Sequence, residues 1–324
     1  MTVPEVTVVI PTHNRRVLLG RALRCALGQR GVPLEVVVVD DGSTDDTSTL
    51  VAELGDERVR VVRNEAPTGV ARARNRGLAS VTTTWVAFLD DDDLWAPDRL
   101  GAQLDALAEN ECGWAVSGAV VVDDALRLIG AQRPPRPGAL PGAVLRYNCI
   151  PGGASGVLAS TALVRELGGF DPELSILADW DLWTRLALAA PLVTVSEPHV
   201  AYVLHGANMT TTPRGFAPEL ERVRRKHARA RVEHGVAVDE AAWELWFAEV
   251  AYRGGARLGP TFQTWRAAIR RRSPRLLARG LSMRIRPGWL ERREQARLAA
   301  MDPRWRASAE AWLAEHRKTT SNLP

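Results

Sequence analysis

Residues 34–47 read Leu-Glu-Val-Val-Val-Val-Asp-Asp-Gly-Ser-Thr-Asp-Asp-Thr. The Val-rich run Leu34–Val39 stops at Asp40-Asp41-Gly42. A continuous apolar run, without polar alternation, suits a parallel strand covered on both faces. Ser43 or Thr44 is placed to cap a following helix. Outward from this stretch the same grammar repeats. Val6–Ile10 is a short β-branched run that ends in Pro11-Thr12-His13-Asn14-Arg15. Leu18, Leu19, Ala22, Leu23, Ala26 and Leu27 then recur at helical spacing. Val59–Val62 reads as a third strand, Gly69–Leu78 as a helix and Trp85–Leu89 as a fourth strand. This alternation predicts an α/β fold with a mostly parallel sheet flanked by helices.

The middle is less regular. Strands are expected at Trp114–Val122, Gly156–Ala159, Val193–Val195 and Val200–Leu204, and helices at Thr161–Leu167 and Trp180–Ala190. Residues 133–142, rich in Pro and Gly, read as a loop. From about residue 215 the pattern is helical, with breaks expected near Gly254-Gly255, Gly259-Pro260, Ser273-Pro274 and Pro287-Gly288. The last six residues are expected to fray. Charge divides the chain at the same place. Residues 211–324 hold 24 Lys+Arg against 12 Asp+Glu, whereas residues 1–210 hold 18 against 26. The expected organisation is therefore an α/β domain over 1–210 and a basic, Trp-rich helical region over 211–324.

Cys25, Cys112 and Cys149 form no Cys-x-x-Cys pair, so neither a disulfide framework nor a zinc knuckle is indicated, and a reducing cytoplasm is expected. The N-terminus lacks a basic segment followed by a long apolar one, so no signal peptide is expected. No apolar window is long enough to span a bilayer.

The chemistry is carried by carboxylates. Phe88-Leu-Asp-Asp-Asp-Asp-Leu-Trp-Ala-Pro97 places four consecutive acids at a strand end. Their mutual repulsion is relieved when a divalent cation and a polyphosphate bind among them. In open parallel sheets ligands sit at the carboxyl ends of strands, which is where Pro11–Arg15, Asp40–Asp46 and Asp90–Asp93 converge. The first strand is not followed by Gly-x-Gly-x-x-Gly, and both the Walker phosphate loop and the Gly-x-Ser-x-Gly elbow are absent. Dinucleotide enzymes, P-loop enzymes and serine hydrolases are disfavoured accordingly.

Seven blocks resemble one family in order. They are Val9–Arg15, Val39–Asp45, Gly69–Gly77, Phe88–Pro97, Gly168-Gly169-Phe170-Asp171, Asp179-Trp180-Asp181-Leu182-Trp183 and Tyr202–Thr210. Together they look like family 2 glycosyltransferases of the GT-A fold, over roughly residues 4–210. The resemblance implies a Rossmann-like GT-A sheet and an inverting, metal-dependent hexosyl transfer, with a catalytic domain over 1–210 whose nucleotide-sugar half covers about 1–100 and whose acceptor half covers about 101–210. Pro11, Thr12, Asn14, Asp41, Arg74 and Asp91 would contact the nucleotide sugar, with Arg72 competing with Arg74. Asp92, Asp90 and His205 would hold Mn2+ or Mg2+ through an Asp-x-Asp motif. Asp93 would support that motif or cap the next helix, and Asn208 would fix its loop. Asp179 matches the general base, with Asp181 as the alternative. Gly152, Gly153 and Trp180 fall where relatives contact the acceptor. This family's pattern has a non-acidic residue within the acidic run, so the register of Asp90–Asp93 stays open by one.

The expected function is transfer of a sugar from a nucleoside-diphosphate donor to a polysaccharide, lipid-linked or small-molecule acceptor. The tail is open to three readings: a cap over the acceptor site, peripheral contact with a membrane inner face through Arg270–Arg272, Arg275, Arg279, Trp265 and Trp289, or homo-oligomerisation. No nucleic-acid recognition module is visible. Two other classes remain: a catalytically inactive nucleotide-sugar-binding protein, and a membrane- or polyanion-binding module using the tail. Sugar nucleotidyltransferases share the broad architecture but expect a Gly-rich N-terminal loop that this chain lacks.

Overall fold

Strands β1 (Val6–Thr12), β2 (Leu34–Asp41), β3 (Val59–Asn64) and β4 (Trp85–Phe88) alternate with helices α1 (Arg16–Leu27), α2 (Thr47–Leu54) and α3 (Val70–Ala79). The computed structural model describes residues 5–206, 208, 215–256, 258–285 and 288–320. The four strands pair in parallel in the order β3-β2-β1-β4. Every residue of β1 is buried, as a central strand with helices on both faces requires. At the sheet edge, β3 is only partly covered and leaves Val61 exposed. The cap of α2 differs from expectation. Its N-cap residue is Asp46, while Ser43 instead accepts the backbone N–H of Asn14 at 3.0 Å.

The second half comprises β5 (Leu94–Trp95), α4 (Arg99–Ala108), β6 (Trp114–Asp123), β7 (Leu128–Gln132), α5 (Leu140–Arg146), β8 (Val157–Ser160), α6 (Thr161–Glu166), α7 (Ala178–Ala189) and β9 (Leu192–Leu204). Here the sheet turns mixed. β8 lies antiparallel between β4 and β6, β6 runs parallel to β9, and β7 and β5 pair antiparallel with β6 and β9. The two strands expected at 193–204 are one. Its register against Ser117, Gly118 and Ala119 slips, so the polar Ser-Glu-Pro-His stretch is an irregularity within β9 and not a turn. The expected loop at 133–142 ends in α5, whose Pro141 sits in the first turn, where a missing N–H costs nothing.

Beyond residue 215 come α8 (Phe216–Lys226), α9 (Ala228–Glu233), α10 (Glu240–Arg253), α11 (Leu258–Arg270), α12 (Pro274–Ile285), α13 (Trp289–Ala299) and α14 (Pro303–Thr320). Gly259-Pro260 does not break the chain but lies in the first turn of α11, a position that tolerates proline. The expected terminal fraying concerns mainly 321–324, outside the described residues. Both cores of the sheet use these helices. Val223, Trp243 and Phe247 join Phe88, Trp180 and Trp183 on one face. Ala309, Trp312 and Leu313 join Ile10, Leu19 and Trp95 on the other. Trp312 Nε1 donates to the carbonyl of Pro198 at 3.1 Å. The Trp305 ring lies over Gly118, where a Cβ would run into it. Gly118→Ala is therefore expected to destabilise the protein by about 1–3 kcal/mol, read as a lower urea midpoint at unchanged slope.

Candidate active site

The carboxyl ends of β1, β2 and β4 open into one cavity of 390 Å³, lined by Pro11, Thr12, Arg15, Asp41, Arg74, Asp90, Asp91 and Asp92 on one side. Gly153, Ala154, Ser175, Ile176, Asp179, Tyr202 and Asn208 also line it. The acidic run and the base candidate thus face the same space, although 86 residues separate Asp179 from Asp93.

Asp41 closes the loop after β3. Its carboxylate accepts from Thr68 N at 2.9 Å, Thr68 Oγ1 at 2.8 Å, Gly69 N at 2.8 Å and Asn64 Nδ2 at 2.6 Å. Burial by itself raises the Asp41 carboxyl, but these donors outweigh it and hold the group below the usual carboxylate range. Asp40 is fully buried, pairs with Arg63 and accepts Ser43 N at 2.9 Å. Gly42 makes the turn between them at φ +73, with backbone of Ala66 2.7 Å from where a Cβ would sit.

Each of the four aspartates has a separate role. Asp90 pairs with Arg74, whose Nε is buried with no hydrogen-bond partner among the described residues. Asp91 accepts Thr12 Oγ1 at 2.7 Å and Arg15 at 2.9 Å. Burial, then the charge of Asp92, pushes its carboxyl up to about 7 against the pull of Arg15. Asp92 lies 2.8 Å from Arg15 Nη1 and 3.0 Å from His205 Nε2. Burial would raise it, yet His205 and Arg15 keep it below the ordinary range. Asp93 does not cap a helix. It accepts Ser155 Oγ at 2.6 Å and Val203 N at 3.1 Å, pinning β9 and the turn before β8 to the acidic run.

Asp179 lies in the first turn of α7. Its Oδ1 accepts Trp180 N at 2.6 Å and its Oδ2 accepts Asn148 Nδ2 at 3.1 Å. Burial raises its pKa to about 6, opposed by the charge of Arg74 and aided by that of Asp90. Gly153 approaches so closely that a Cβ there would lie 3.3 Å from Asp179 Oδ2. Asp181, the alternative base, is excluded from this role. It is fully buried and bound to Arg185 at 2.6 Å, Lys226 at 2.9 Å and His227 at 2.8 Å.

Three other expectations, for Trp180, Gly152 and Asn14, need revision. Trp180 cannot touch an acceptor, because its ring is fully buried against Trp243 and its Nε1 donates to Val144 O. Gly152 lies outside the cavity lining and packs on Val200. Asn14 also lies outside it. At φ 53, its Oδ1 accepts Thr44 N at 2.7 Å and so ties the loops after β1 and β2 together. Arg72 is exposed and pairs with Glu173, which leaves Arg74 to the cavity. Asn208 fixes its loop, accepting His205 N at 2.6 Å and donating to Val203 O at 3.1 Å. Residues 207, 209 and 210 of that sequence block lie outside the described residues. The residues missed by sequence reasoning are Arg15, which bridges Asp91 and Asp92, and Tyr202. A lone cation at the first strand end, opposite an acid run, was the available signal for Arg15.

Asp92 and His205 adjoin each other as a pair of oxygen and nitrogen donors. No group of three His, Cys, Asp or Glu side chains poised for a metal occurs among the described residues. That donor set fits an ion such as Mg2+ or Mn2+, which takes one or two protein ligands and fills its remaining positions from phosphate and water.

A parallel 3-2-1-4 half-sheet with acids at its strand ends, joined to a mixed half-sheet that contributes the opposite wall, is the GT-A architecture. Residues 7–166 match the model of glycosyl transferase family 2, and the chain belongs to that family. The succinoglycan biosynthesis protein ExoO of Rhizobium meliloti is 46% identical over 98 residues, 30% of this chain and 28% of that protein. The Escherichia coli UDP-Glc:alpha-D-GlcNAc-diphosphoundecaprenol beta-1,3-glucosyltransferase WfgD is 29% identical over 119 residues, 37% of this chain and 47% of that protein. The match therefore spans less than half of either relative. Among solved structures, S. aureus TarS 1-349 in complex with UDP-GlcNAc superposes with a TM-score of 0.58 at 17% identity, over 98% of this chain and 90% of that one. At that identity the likeness concerns the fold.

Proposed function

We propose that the chain is an inverting glycosyltransferase that moves a sugar from a nucleoside-diphosphate donor to an acceptor hydroxyl. One observation carries this reading: a single cavity is walled by Asp90–Asp92 with Arg74 on one side and by Asp179 on the other. The donor's diphosphate belongs beside Arg74, where the unpartnered Nε awaits an acceptor oxygen. Asp179 takes the proton from the acceptor hydroxyl as that oxygen bonds to the anomeric carbon. The bond from that carbon to the phosphate oxygen breaks on the opposite face, and its electron pair leaves with the diphosphate. When bound at Asp92 and His205, with Asp90 nearby, Mn2+ or Mg2+ supplies positive charge to the departing diphosphate. A carboxyl with a pKa of about 6 is ionised, and so able to accept a proton, only above that pH. kcat/KM is accordingly expected to rise as pH passes about 6 and to level off above it, in a stopped nucleoside-diphosphate release assay.

The acceptor side points to an anion. Tyr202 also lines a second cavity, of 660 Å³, between β6–β7 and α10–α13. Arg253, Arg279, Arg293 and Arg297 converge there on Glu249, and Arg253 pairs also with Glu294; Arg279 Nε is buried without a partner among the described residues. Four guanidinium groups exceed two carboxylates, which favours a phosphate-bearing acceptor of the kind for which the E. coli relative is named. The free thiols of Cys25, Cys112 and Cys149 accord with action in a reducing cytoplasm. A thermal-shift screen of nucleotide sugars with Mn2+ tests the donor assignment. The cognate donor raises Tm by mass action, and a flat response across the panel with no diphosphate release contradicts it. Donor binding without turnover would instead indicate an inactive binding protein.

A further inference from the structure

Eleven large apolar side chains are exposed among the described residues, and six of them belong to α11 and α12: Leu258, Phe262, Ile269, Leu277, Leu281 and Ile285. The first three recur at i, i+4 and i+11, the others at i, i+4 and i+8, so each helix carries one apolar outward row. The inward rows are occupied. Thr264, Ala267 and Ala268 of α11 are buried, as are Gly280 and Met283 of α12. Trp265 joins the two outward rows. Its ring stands 5.7 Å from that of Phe262, and its Nε1 donates to Leu277 O at 3.2 Å. Ile269 at 72% and Ile285 at 60% exposure are too open for the rim of a core. Isolated exposures are ordinary on a protein surface, but a two-row cluster indicates a binding face.

Charge identifies what the face meets. Residues 258–285 contain seven Arg and no Asp, Glu or Lys. Arg266 and Arg270 are paired with Glu244, Arg271 with Asp239 and Arg279 with Glu249. Arg272, Arg275 and Arg284 are exposed and have no ion-pair partner among the described residues. A second copy of this chain would set these cations against its own. Nucleic acid would leave the apolar rows in water. An anionic bilayer surface satisfies both features, accepting apolar side chains at the acyl boundary and guanidinium groups at the headgroup phosphates.

We propose that the α11–α12 hairpin is a membrane-docking surface that lies in the interface of an anionic bilayer. Among the described residues no helix is long and apolar enough to cross a membrane, so the contact is peripheral. Trp289, a sequence-based candidate for this contact, is not part of it, since it is buried against Tyr252. The inference is separable from the donor site, because the hairpin shares no residue with the catalytic cavity, and none of its exposed apolar residues lines the second cavity.

Co-sedimentation of the full chain with vesicles is the test, using phosphatidylcholine alone or mixed with phosphatidylglycerol. Binding is expected only to the mixed vesicles and is expected to weaken as salt is raised. The double variant Phe262→Ser/Leu281→Ser, which alters exposed positions only, is expected to lose at least about tenfold in affinity. Arg272→Gln/Arg275→Gln/Arg284→Gln is expected to lose roughly a hundredfold on the mixed vesicles. Unchanged nucleotide-sugar thermal shifts in both variants show that the fold and the donor site stand, so the outcome is separate from that of the transferase reading. The proposal is overturned if wild type stays in the supernatant with the mixed vesicles or if the serine variant binds as wild type does. It is equally overturned if sedimentation velocity shows a wild-type dimer that the serine variant dissociates.

Discussion

Asp179→Asn is expected to lower sugar transfer by about 10²–10⁴-fold while nucleotide-sugar binding persists. An amide at this position keeps one acceptor oxygen, for Trp180 N or for Asn148 Nδ2, but has no lone pair basic enough to take the acceptor's proton. The substitution is also expected to leave stability at pH 8 equal to or above that of wild type. The Asp179 carboxyl is raised from 3.8 to about 6 in the folded protein, so the native state binds more protons than the unfolded chain in that window. Stability therefore falls as pH climbs through it, and the cost is complete above about 6. An uncharged isostere removes that cost. The paired measurement is single-turnover transfer and Tm on the same preparation. Retained transfer would remove Asp179 from the base role, and a large loss of Tm would recast it as a structural residue.

Asp92→Asn is expected to be comparably damaging at the other end of the cavity, by about 10²–10³-fold in kcat. Its oxygen is where Arg15, His205 and Asn208 converge, so one neutralised carboxylate removes the ion pair with Arg15 and disturbs two further hydrogen bonds. Chelation with EDTA is expected to reproduce the loss in wild type, with recovery on adding Mn2+ or Mg2+. The discriminating readout is the thermal shift produced by nucleoside diphosphate. Its dependence on divalent cation is expected to vanish in Asp92→Asn and to remain in Asp179→Asn. A wild type that is fully active in excess EDTA would contradict the metal assignment.

The first four strands were legible because their valine runs are continuous and each ends in acids or turn residues, and local chemistry is all that this pattern needs. The second half-sheet was less legible. β5 is two residues long and exists because Leu94 and Trp95 pair with Ala201 and Val200, a partnership across more than a hundred residues. Trp180 shows the same limit at the site. Its place beside Asp179 suggested an acceptor contact, but helical geometry turns consecutive residues to different sides. Asp179 faces the cavity while Trp180 faces Trp243. Asp181 was an equal carboxylate in the sequence, and only the tail's Lys226 and His227 reveal it as an anchor for those helices. Arg15 was visible as a charge, but its bridging of Asp91 and Asp92 depends on the β1–β4 pairing.

The seating of α14 bears on how the chain is made. Ala309, Trp312 and Leu313 sit in the same core as Ile10, Leu19 and Trp95, so the amino-terminal half-sheet is finished by residues synthesised long after its own strands. A nascent chain that has emerged only through β9 already holds every aspartate of the cavity, yet its core still has an open side. Helices α10–α13 are thus a closed excursion, with both ends returned to the body of the protein. Completion of this core during synthesis waits for α14, and a chain stopped after α13 is expected to remain a substrate for chaperones and proteases.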